Sequence, residues 1–586
     1  MRHRVLHAGT FLVFVLLGCA EPQVSAVFTE LIAEFEAHEL AHDPERRARD
    51  GDLDAARLWP DISPEATASK EEAEATFLGR LRAIDRSTLP AGEQVSYDVL
   101  EYLLNFRVEL APFQTQRAPF TNDSGFFSEP GRAAASLRLT RVPEAEAWID
   151  RLRALPAYFE AHVAWMRRGI EEGYTQPGAI MDAVVGQVRA LAGFTPEDTG
   201  LVEPIDGLPP SITSSERERL RHEALTVVRD EVLPAYQALL TFFEEEYVPS
   251  ARPDLGISSA PGGRELYRTL VRFHTTLDTT PQDVHDQGLA EVARIREEMD
   301  QVIQETGFEG SFGEFLHFLR TDPQFYAETE EELLMRAAWI AKRADDQMPR
   351  FFRNLPRLPY GVRPVPASMA PTYTTGRYWR GDLEQGVAGG YMVNTYRLDQ
   401  RPLYELPSLT VHEGVPGHHH QVAVSQELEN VPDFRRRASI TAFGEGWGLY
   451  TEFLGVDMGI YETPYEHFGR LTYEMWRACR LVVDTGIHYL GWSRQESEDC
   501  FLDNSALAPH NIQTEVTRYI SWPGQALAYK TGELLIRELR TRAEDRLGVD
   551  FDIRAFHDRI LDDGSMPLSA LNDKMERWIQ EQAQGG

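Results

Sequence analysis

The chain has few cysteines and no apolar run long enough to cross a membrane. Its 586 residues include three cysteines, which cannot form a disulfide framework in a chain of this length. Cys479 and Cys500 lie in helical patterns, and we expect both to be buried thiols. A single bridge between them is the alternative, although nothing local supports it. The apolar run at residues 5–17 is shorter than the roughly 20 residues that a membrane-spanning helix needs.

Basic residues are scarce compared with acidic ones. The chain carries 59 Lys and Arg against 92 Asp and Glu, which gives a formal net charge of −33 at pH 7. A surface of this sign repels phosphate backbones, so the composition argues against nucleic acid as a partner. The acidic residues are spread along the chain, which indicates a solvated surface rather than an acidic tail.

The first residues have the layout of a secretory signal peptide, with a basic start followed by the apolar run. The ending LLGC at 16–19 resembles a bacterial lipobox, in which Cys19 is lipidated and becomes the first mature residue. We expect a signal peptide at 1–18, a lipidated linker at 19–26 and export to the cell envelope. Ala20, rather than Asp, favours the outer membrane facing the periplasm. The alternative is an ordinary signal peptide with a chance cysteine.

Helical patterns dominate the rest of the chain and predict a mainly α protein. Apolar residues recur at helical spacing in many segments, and strands do not alternate with helices. Residues 249–263 contain three prolines and three glycines and mark the best internal boundary. We expect an N-terminal helical part at 27–250 and a catalytic helical part at 264–586, both within one continuous unit.

The chemistry is concentrated in residues 411–421, VHEGVPGHHHQ, which hold four of the 17 histidines. Glu413 directly follows the first of them. A His-Glu pair, with a second histidine about one helical turn later, is how zinc hydrolases place two imidazoles and a general base at one ion. These residues therefore predict a site for one zinc ion. A solvated histidine cluster, or weak adventitious metal binding, is the alternative.

The spacing of these histidines differs from the usual one. Position i+4 from His412 is Pro416, and the next histidines follow at i+6 to i+8. On a straight helix His418 would point away from His412, and His419 would lie about 10 Å along the axis. Zinc bonds of about 2 Å forbid that span. Because Pro416 lacks an amide hydrogen and Gly417 tolerates unusual dihedral angles, we expect a bulge that brings His418 to the metal, with His419 as second choice.

A third ligand is expected from the buried helical pattern at 441–452. A carboxylate in an otherwise apolar helix is costly to bury unless it binds a metal or a partner. Glu445 meets this description, and Gly444 and Gly446 on either side let neighbouring backbone approach closely. We take Glu445 as the third ligand. Glu452, two turns later, is the alternative ligand or a hydrogen-bond partner for a ligand histidine.

One short segment departs from the helical pattern. Residues 389–396, GGYMVNTY, begin with two glycines and are rich in strand-forming residues, which predicts a small β element beside the metal helix. In many zinc peptidases the substrate lies along such a strand by backbone pairing, so Tyr391 is a candidate substrate-binding residue. A structural hairpin is the alternative.

Three further residues are candidates for contact with the substrate. A polar stripe in the helical pattern at 476–488 ends at His488, which could bond a developing oxyanion if this face lines a cleft rather than the surface. Tyr529, in a helix that starts at Pro523, could donate to a metal-bound carbonyl, or it could belong to the core. Arg518 could hold a substrate carboxylate as a bidentate pair.

Four motifs together resemble the bacterial domain-of-unknown-function family numbered 885. They are HEGVPGHHHQ at 412–421, EGWGLY at 445–450, RLVVDTGIH at 480–488 and PGQALAYK at 523–530. The resemblance runs from about residue 27 to the C-terminus, and the family is itself similar to His-Glu zinc peptidases with a glutamate as third ligand. It implies a mainly α, multi-helix, zincin-like unit with a deep cleft.

The resemblance also implies roles for individual residues. His412, His418 and Glu445 would hold the metal, and Glu413 would act as the base. The chain departs from the expected pattern by Gly448, where alanine is expected, and by an additional histidine at 420. Neither departure alters the predicted site.

The sequence thus predicts a zinc-dependent peptidase in which Glu413 activates a water and passes its proton to the leaving amine. Two alternatives stay open: a zinc amidase or esterase acting on cell-wall or other non-protein substrates, and a non-catalytic lipoprotein that binds zinc or peptides. Manganese or cobalt could replace zinc, because ligand type narrows the metal only partly. The end of the peptide that is attacked and the oligomeric state are not set by the sequence.

Overall fold

The computed structural model describes residues 21–367, 369–383, 385–429 and 431–585. Within this part of the chain the protein is mainly helical, as the sequence predicts, with one small β-sheet. None of the described helices combines the length and the apolar character that a membrane span requires. Cys19 and the predicted signal peptide lie outside the described residues.

The chain up to the Pro- and Gly-rich segment is a series of α-helices joined by turns, loops and short 3₁₀-helices. They are α1 (Glu21–Ala41), α2 (Pro44–Arg49), α3 (Pro64–Arg82), α4 (Ala91–Leu110), α5 (Glu129–Ser136), α6 (Val142–Arg153), α7 (Leu155–Glu172), α8 (Met181–Ala192), α9 (Glu203–Asp206), α10 (Ser214–Val227), α11 (Leu233–Phe242) and α12 (Val248–Ser250). Two π-helical turns, Val228–Val232 and Phe243–Tyr247, join α10, α11 and α12 into one long helical stretch.

The chain after that segment contains the helices that carry the predicted site. They are α13 (Gly263–Thr275), α14 (Pro281–Thr306), α15 (Phe312–Thr321), α16 (Glu330–Phe351), α17 (Leu406–Glu413), α18 (His418–Gln426), α19 (Asp433–Arg437), α20 (Thr441–Asp457), α21 (Pro464–Thr485), α22 (Arg494–Asn504), α23 (Pro509–Ser521), α24 (Ala528–Leu547), α25 (Ile553–Leu561) and α26 (Leu568–Gly585).

Two long helices, α14 and α21, pack closely against each other. Each begins with a capping box and a proline in its first turn, which are strong helix-starting signals; Thr280 caps α14 and Thr463 caps α21. Gly288 allows the close packing, because a Cβ atom there would lie 2.7 Å from the Cβ of Leu481. Helix α21 is buried along nearly all of its length, so its polar side chains must find partners inside the protein.

The β-sheet has three strands, β1 (Tyr360–Pro364), β2 (Gly376–Trp379) and β3 (Gly389–Val393). β3 lies in the middle, parallel to β1 and antiparallel to β2. A strand is therefore present where the sequence predicts one, within residues 389–396. However, every residue of β3 is buried and both of its edges are paired, so a substrate cannot lie along it as predicted.

One hydrophobic core runs through both parts of the chain. Its buried residues come from either side of residues 249–263, from Phe28 to Ile579. Phe35 of α1, for example, packs edge-on against Phe434 of α19, with ring centroids 6.0 Å apart. The Pro- and Gly-rich segment therefore connects two halves of a shared core.

Cys479 of α21 and Cys500 of α22 meet where these two helices pack. Both are free thiols; Cys479 is buried, as expected, whereas Cys500 is only half-buried. Their sulfur atoms lie 2.8 Å apart, and the Cys479 thiol also donates to the carbonyl oxygen of Cys500 at 3.2 Å.

Helices α20 and α24 touch backbone to backbone. A Cβ atom on Gly446 would lie 2.5 Å from the Cα of Gly532. Gly444 differs, since its nearest neighbours are side-chain atoms of Gln421 at 3.6 and 3.7 Å. The close backbone approach that the sequence suggests for both glycines therefore occurs at Gly446 and not at Gly444.

Gly446→Ala should lower the free energy of unfolding by roughly 1–3 kcal/mol, because the added methyl group would overlap backbone atoms of α24. Gly444→Ala is the matched control on the same helix; its methyl group has room, and alanine favours helix. Urea unfolding followed by circular dichroism gives both values. Equal stabilities would show that α20 and α24 are not held this close.

Candidate metal centre

The chain turns sharply between the first two predicted ligands. Helix α17 ends at Glu413 and α18 begins at His418. The intervening residues 414–417 form a turn, closed by a hydrogen bond of 3.0 Å from the Gly417 amide to the Val411 carbonyl. The prediction that the helix cannot continue straight to His418 is confirmed. The interruption is a turn between two helices rather than a bulge within one.

Glycine is required at position 417 by the tightness of this turn. A Cβ atom there would lie 2.0 Å from the carbonyl oxygen of His412 and 2.4 Å from that of Val411. The turn is also fixed to α20, because the indole N–H of Trp447 donates to the carbonyl oxygen of Pro416 at 2.8 Å. Both contacts set the position of the residue that follows, His418.

The turn brings the three predicted ligands together. His418 Nε2 lies 3.3 Å from Glu445 Oε2, and His412 Nε2 lies 3.6 Å from the same oxygen. The two imidazole rings are perpendicular, with centroids 4.7 Å apart, and one donor atom from each residue lies within 4.8 Å of the others. Neighbouring donors of a tetrahedral zinc site are about 3.3–3.6 Å apart, since each bond is about 2.0–2.2 Å long. The residues present fit zinc.

Glu452 orients the first histidine. Its Oε1 lies 2.8 Å from His412 Nδ1, and its side chain is 1% exposed. A carboxylate on one ring nitrogen makes that nitrogen the N–H donor and leaves Nε2 free to bind a metal. Of the two roles considered for Glu452, the structure places it behind the ligand histidine, and Glu445 faces the two imidazoles.

Sequence reasoning missed the role of Gly448. A Cβ atom at this position would lie 2.8 Å from Cε1 and 2.9 Å from Nε2 of His412. The expected alanine would therefore press on the metal-binding edge of the imidazole in this arrangement. The sequence signal for this role was the glycine at position 448, in place of the expected alanine, in the motif that begins at Glu445.

The carboxylates create a strongly negative environment around His412. Burial acts to lower the pKa of His412, but Glu445 and Glu452 outweigh it and raise that pKa to about 9. Burial likewise acts to raise the pKa of Glu445, but His418 and His412 outweigh it and hold that pKa well below its ordinary value. The site therefore favours a cation at His412, and a metal must displace a proton in order to bind.

Glu413 is the last residue of α17; it follows His412 in the sequence and contacts β2. Its Oε2 accepts a hydrogen bond of 2.7 Å from the backbone amide of Tyr378, and the residue is 7% exposed. This contact fixes one carboxylate oxygen. The other oxygen, Oε1, has no hydrogen-bond partner in the described part of the chain.

The second-choice ligand, His419, is used elsewhere. Its Nε2 donates to the carbonyl oxygen of Leu358 at 3.0 Å, and its Nδ1 lies 3.2 Å from the hydroxyl of Tyr378. Its ring also packs against Tyr360, with centroids 4.5 Å apart. Both ring nitrogens are occupied, because one further helical step turns the side chain toward β1 and β2. His418, and not His419, joins the donor group.

Two other candidates are buried away from any substrate. His488 is 0% exposed, and its ring nitrogens bond the amide of Ile257 at 3.0 Å and the carbonyl of Tyr519 at 2.9 Å. It therefore has no free N–H for an oxyanion. Tyr391 is also 0% exposed, and its hydroxyl lies 3.2 Å from that of Thr410 in α17. Its position in the central strand makes it a support for the metal helix.

Tyr529 and Arg518 are less enclosed. Both are half-buried, and the Tyr529 hydroxyl makes no hydrogen bond to the described residues. Tyr529 precedes Gly532 by one turn of α24, at the point where this helix touches α20 beside Glu445. Arg518 donates to Glu515 at 3.2 Å and to the side-chain oxygen of Gln525.

Replacing His418 by alanine should weaken zinc binding by more than about 100-fold, because a donor atom is lost. Loss of a residue that only hydrogen-bonds to a metal ligand usually weakens metal affinity by about 10–100-fold. His419→Ala is the matched control and should retain zinc, because its nitrogens bond Leu358 and Tyr378 instead. Elemental analysis of the purified variants and titration with a zinc-sensitive chelator measure both effects. Loss of zinc from the His419 variant alone would reverse the assignment.

Glu452→Gln should weaken zinc binding by roughly 10–100-fold while leaving the ligands in place, because His412 would lose its charged partner. Glu462→Gln serves as control, since that carboxylate is 61% exposed. The same competition titration reports both affinities. An unchanged affinity in the Glu452 variant would mean that this carboxylate does not tune the histidine.

The chain is similar to two solved structures. One is the crystal structure of a protein from Colwellia psychrerythraea, provisionally named a lipoprotein; the match has 25% sequence identity and a TM-score of 0.86, and covers 96% of this chain and 99% of that one. The other, from Shewanella oneidensis, is provisionally named a lipoprotein of unknown function; at 16% identity, a TM-score of 0.72 and coverage of 94% and 99%, it shows the same fold. No curated protein matches the chain.

The model of one protein family matches most of the chain. It is described as "bacterial protein of unknown function (DUF885)", and the match covers residues 44–575. This is the family that the sequence motifs resemble. The chain therefore belongs to the DUF885 family of bacterial proteins.

Proposed function

We propose that the protein is a zinc-dependent peptidase. The observation that carries this proposal is the meeting of His412, His418 and Glu445, in which both histidine–carboxylate distances match a tetrahedral zinc site, with Glu413 adjacent in sequence to the first ligand. Three protein donors leave a fourth position for water, which is the arrangement of catalytic rather than structural zinc sites. The zincin-like peptidase character implied by the motifs is part of this proposal.

Glu413 is the general base of the proposed reaction. Zinc, when bound, would supply Lewis acidity to the attacking water and to the scissile carbonyl. The Tyr378 amide holds Oε2 of Glu413 at 2.7 Å, so Oε1 is the oxygen that takes a proton from the water. The same carboxyl group then delivers that proton to the leaving amine.

The substrate backbone lies along the outer edge of β2 in this proposal. Tyr378 of β2 is paired in register with Tyr391 of β3. Its backbone amide, however, points away from β3 and donates to Glu413. The outer edge of β2 therefore runs past the base, which accepts from the Tyr378 amide on that edge. An extended peptide can add to such an edge as a further strand. β2 thus takes the role that the sequence suggested for β3.

Tyr529 is the proposed donor to the developing oxyanion. Its hydroxyl is not bonded to the described residues, and it lies on the turn of α24 that precedes the contact with α20. A hydroxyl held near the reacting carbonyl stabilises negative charge there. His488 plays no part, because both of its nitrogens bond backbone groups.

We also propose that the protein is exported and held to the envelope by a lipid on Cys19, with the periplasmic face of the outer membrane favoured by Ala20. The lipobox-like ending at 16–19 supports this, and so do the lipoprotein names given to both similar structures. The substrates would then be extracytoplasmic peptides.

Glu413→Gln should retain one zinc per chain and lower peptide turnover by roughly 10²–10⁴-fold, because glutamine cannot take the proton from water. Glu427→Gln, near the end of α18, is the control; it removes a carboxylate that pairs with Arg357 at the surface. Zinc content and cleavage of a mixed peptide library are measured together.

Full activity with glutamine at 413 would contradict the assigned base. A wild-type protein that holds zinc but cleaves no peptide would contradict the peptidase itself, and it would favour the amidase or the binding protein.

A further inference from the structure

A cluster of charged and aromatic side chains lies beside Tyr529. We call it the arginine cluster; it consists of Arg480 from α21, Glu515, Arg518 and Tyr519 from α23, and Tyr529 from α24. One oxygen, Glu515 Oε2, accepts from Arg480 at 3.0 Å, from Arg518 at 3.2 Å and from the Tyr519 hydroxyl at 2.7 Å. The Arg480 guanidinium lies 4.3 Å from the centre of the Tyr529 ring.

The arginine cluster has more positive than negative charge. It holds two guanidinium groups but one carboxylate, and a single oxygen of that carboxylate serves both. Burial acts to raise the pKa of Glu515, but Arg518 and Arg480 outweigh it and hold that pKa at about 2. Glu515 is therefore fully charged at neutral pH, and the cluster keeps one uncompensated positive charge.

The neighbouring carboxylate on α21 does not supply the missing charge. Asp484 accepts from the Tyr267 hydroxyl at 2.7 Å and from the Gly524 amide at 3.0 Å. Burial raises the pKa of Asp484 to about 7, although these two bonds and the charge of Arg518 act to lower it. Its bonds are thus made to neutral groups and not to either arginine of the cluster.

The arginine side chains also have unused hydrogen-bonding capacity. Arg480 Nη1 is fully enclosed and has no hydrogen-bond partner among the described residues, and the Arg480 side chain is 4% exposed. Leaving a buried charged donor unpaired is costly, so such a group is normally matched by an acceptor. Arg518 is 17% exposed, which leaves the cluster open to a ligand on that side.

Two contacts connect the arginine cluster to the metal centre. Tyr529 lies one turn before Gly532, whose backbone touches Gly446 next to the ligand Glu445. On α21, Arg477 lies one turn before Arg480, and its Nη2 is 3.6 Å from the Glu452 carboxylate that orients His412. Two of the three helices that carry the cluster, α21 and α24, therefore also contact the residues around the predicted metal site.

We infer that the arginine cluster binds the C-terminal carboxylate of the peptide substrate, so that the protein attacks peptides from their C-terminal end. A carboxylate carries the single negative charge that the cluster lacks, and a guanidinium group can bind it with two parallel hydrogen bonds. This inference rests on the proposed peptidase function. It also specifies which end of the peptide is attacked, a choice that the sequence alone leaves open.

Peptide binding to the full-length Glu413→Gln variant with added zinc tests this inference without turnover. Isothermal titration compares one short N-acetylated peptide as the free acid and as the C-terminal amide. The amide should bind roughly 10- to 100-fold more weakly, because it cannot form the charge-assisted bonds. A third peptide, the amide with a glutamate side chain at its last position, separates a terminal carboxylate from an acidic side chain.

Adding Arg518→Gln should remove the difference between acid and amide, whereas adding Arg518→Lys should keep part of it, since the charge remains without the planar fork. Arg546→Gln, an exposed arginine on α24, is the control and should leave the difference unchanged. Thermal unfolding verifies that each variant is folded.

Equal binding of acid and amide, or binding of neither, would overturn the inference. Binding restored by the glutamate side chain would assign the cluster to acidic residues within peptides instead. Turnover of the same peptides by the wild-type protein is measured separately. Selective binding of the free acid without turnover would therefore refute the peptidase while retaining the carboxylate site.

Discussion

The proposed zinc site requires two imidazoles six positions apart in the chain to meet, and the turn at residues 414–417 makes this geometrically possible. The turn depends on the absence of a side chain at Gly417, whose backbone lies against the carbonyls of the preceding helix. Gly448 provides a similar clearance on the opposite side, where α20 meets the ring of His412. Helices α17, α18 and α20 can therefore converge closely enough for His418 and Glu445 to share a ligand-sized space with His412.

The buried helix α21 provides arginines on two sides, one beside Glu452 and one in the arginine cluster. One of its faces carries arginines toward Glu452 and Glu515, so it contacts both the support of the metal ligand and the arginine cluster. A buried helix with this many ionisable groups is expensive to fold unless its charges are paired. Arg477 and Arg480 have partners on α20 and α23, and the remaining positive charge is the one that the inferred carboxylate site would use.

The sequence was a good guide to helices and to the donor group, because both leave local signals. Helical periodicity and the Pro-Gly pair before His418 could be recognised without knowing the fold. Burial of a side chain by segments that are distant in the sequence could not be recognised in this way. His488 and Tyr391 were plausible contacts for a substrate by residue type, but their partners come from distant segments and occupy their polar atoms. The central position of β3 also depended on pairing with β1 and β2, which a short strand pattern does not reveal.

The direct backbone contact between Gly446 and Gly532 has a consequence for motion. With no side chain between them, α20 and α24 have little room to slide or rock independently, so Glu445 and Tyr529 should move as parts of one rigid body. A metal ligand and a nearby hydroxyl would then keep their separation through thermal fluctuation. If the proposed function is right, the movement that admits a peptide would then fall to β2, which meets Glu413 through the Tyr378 amide.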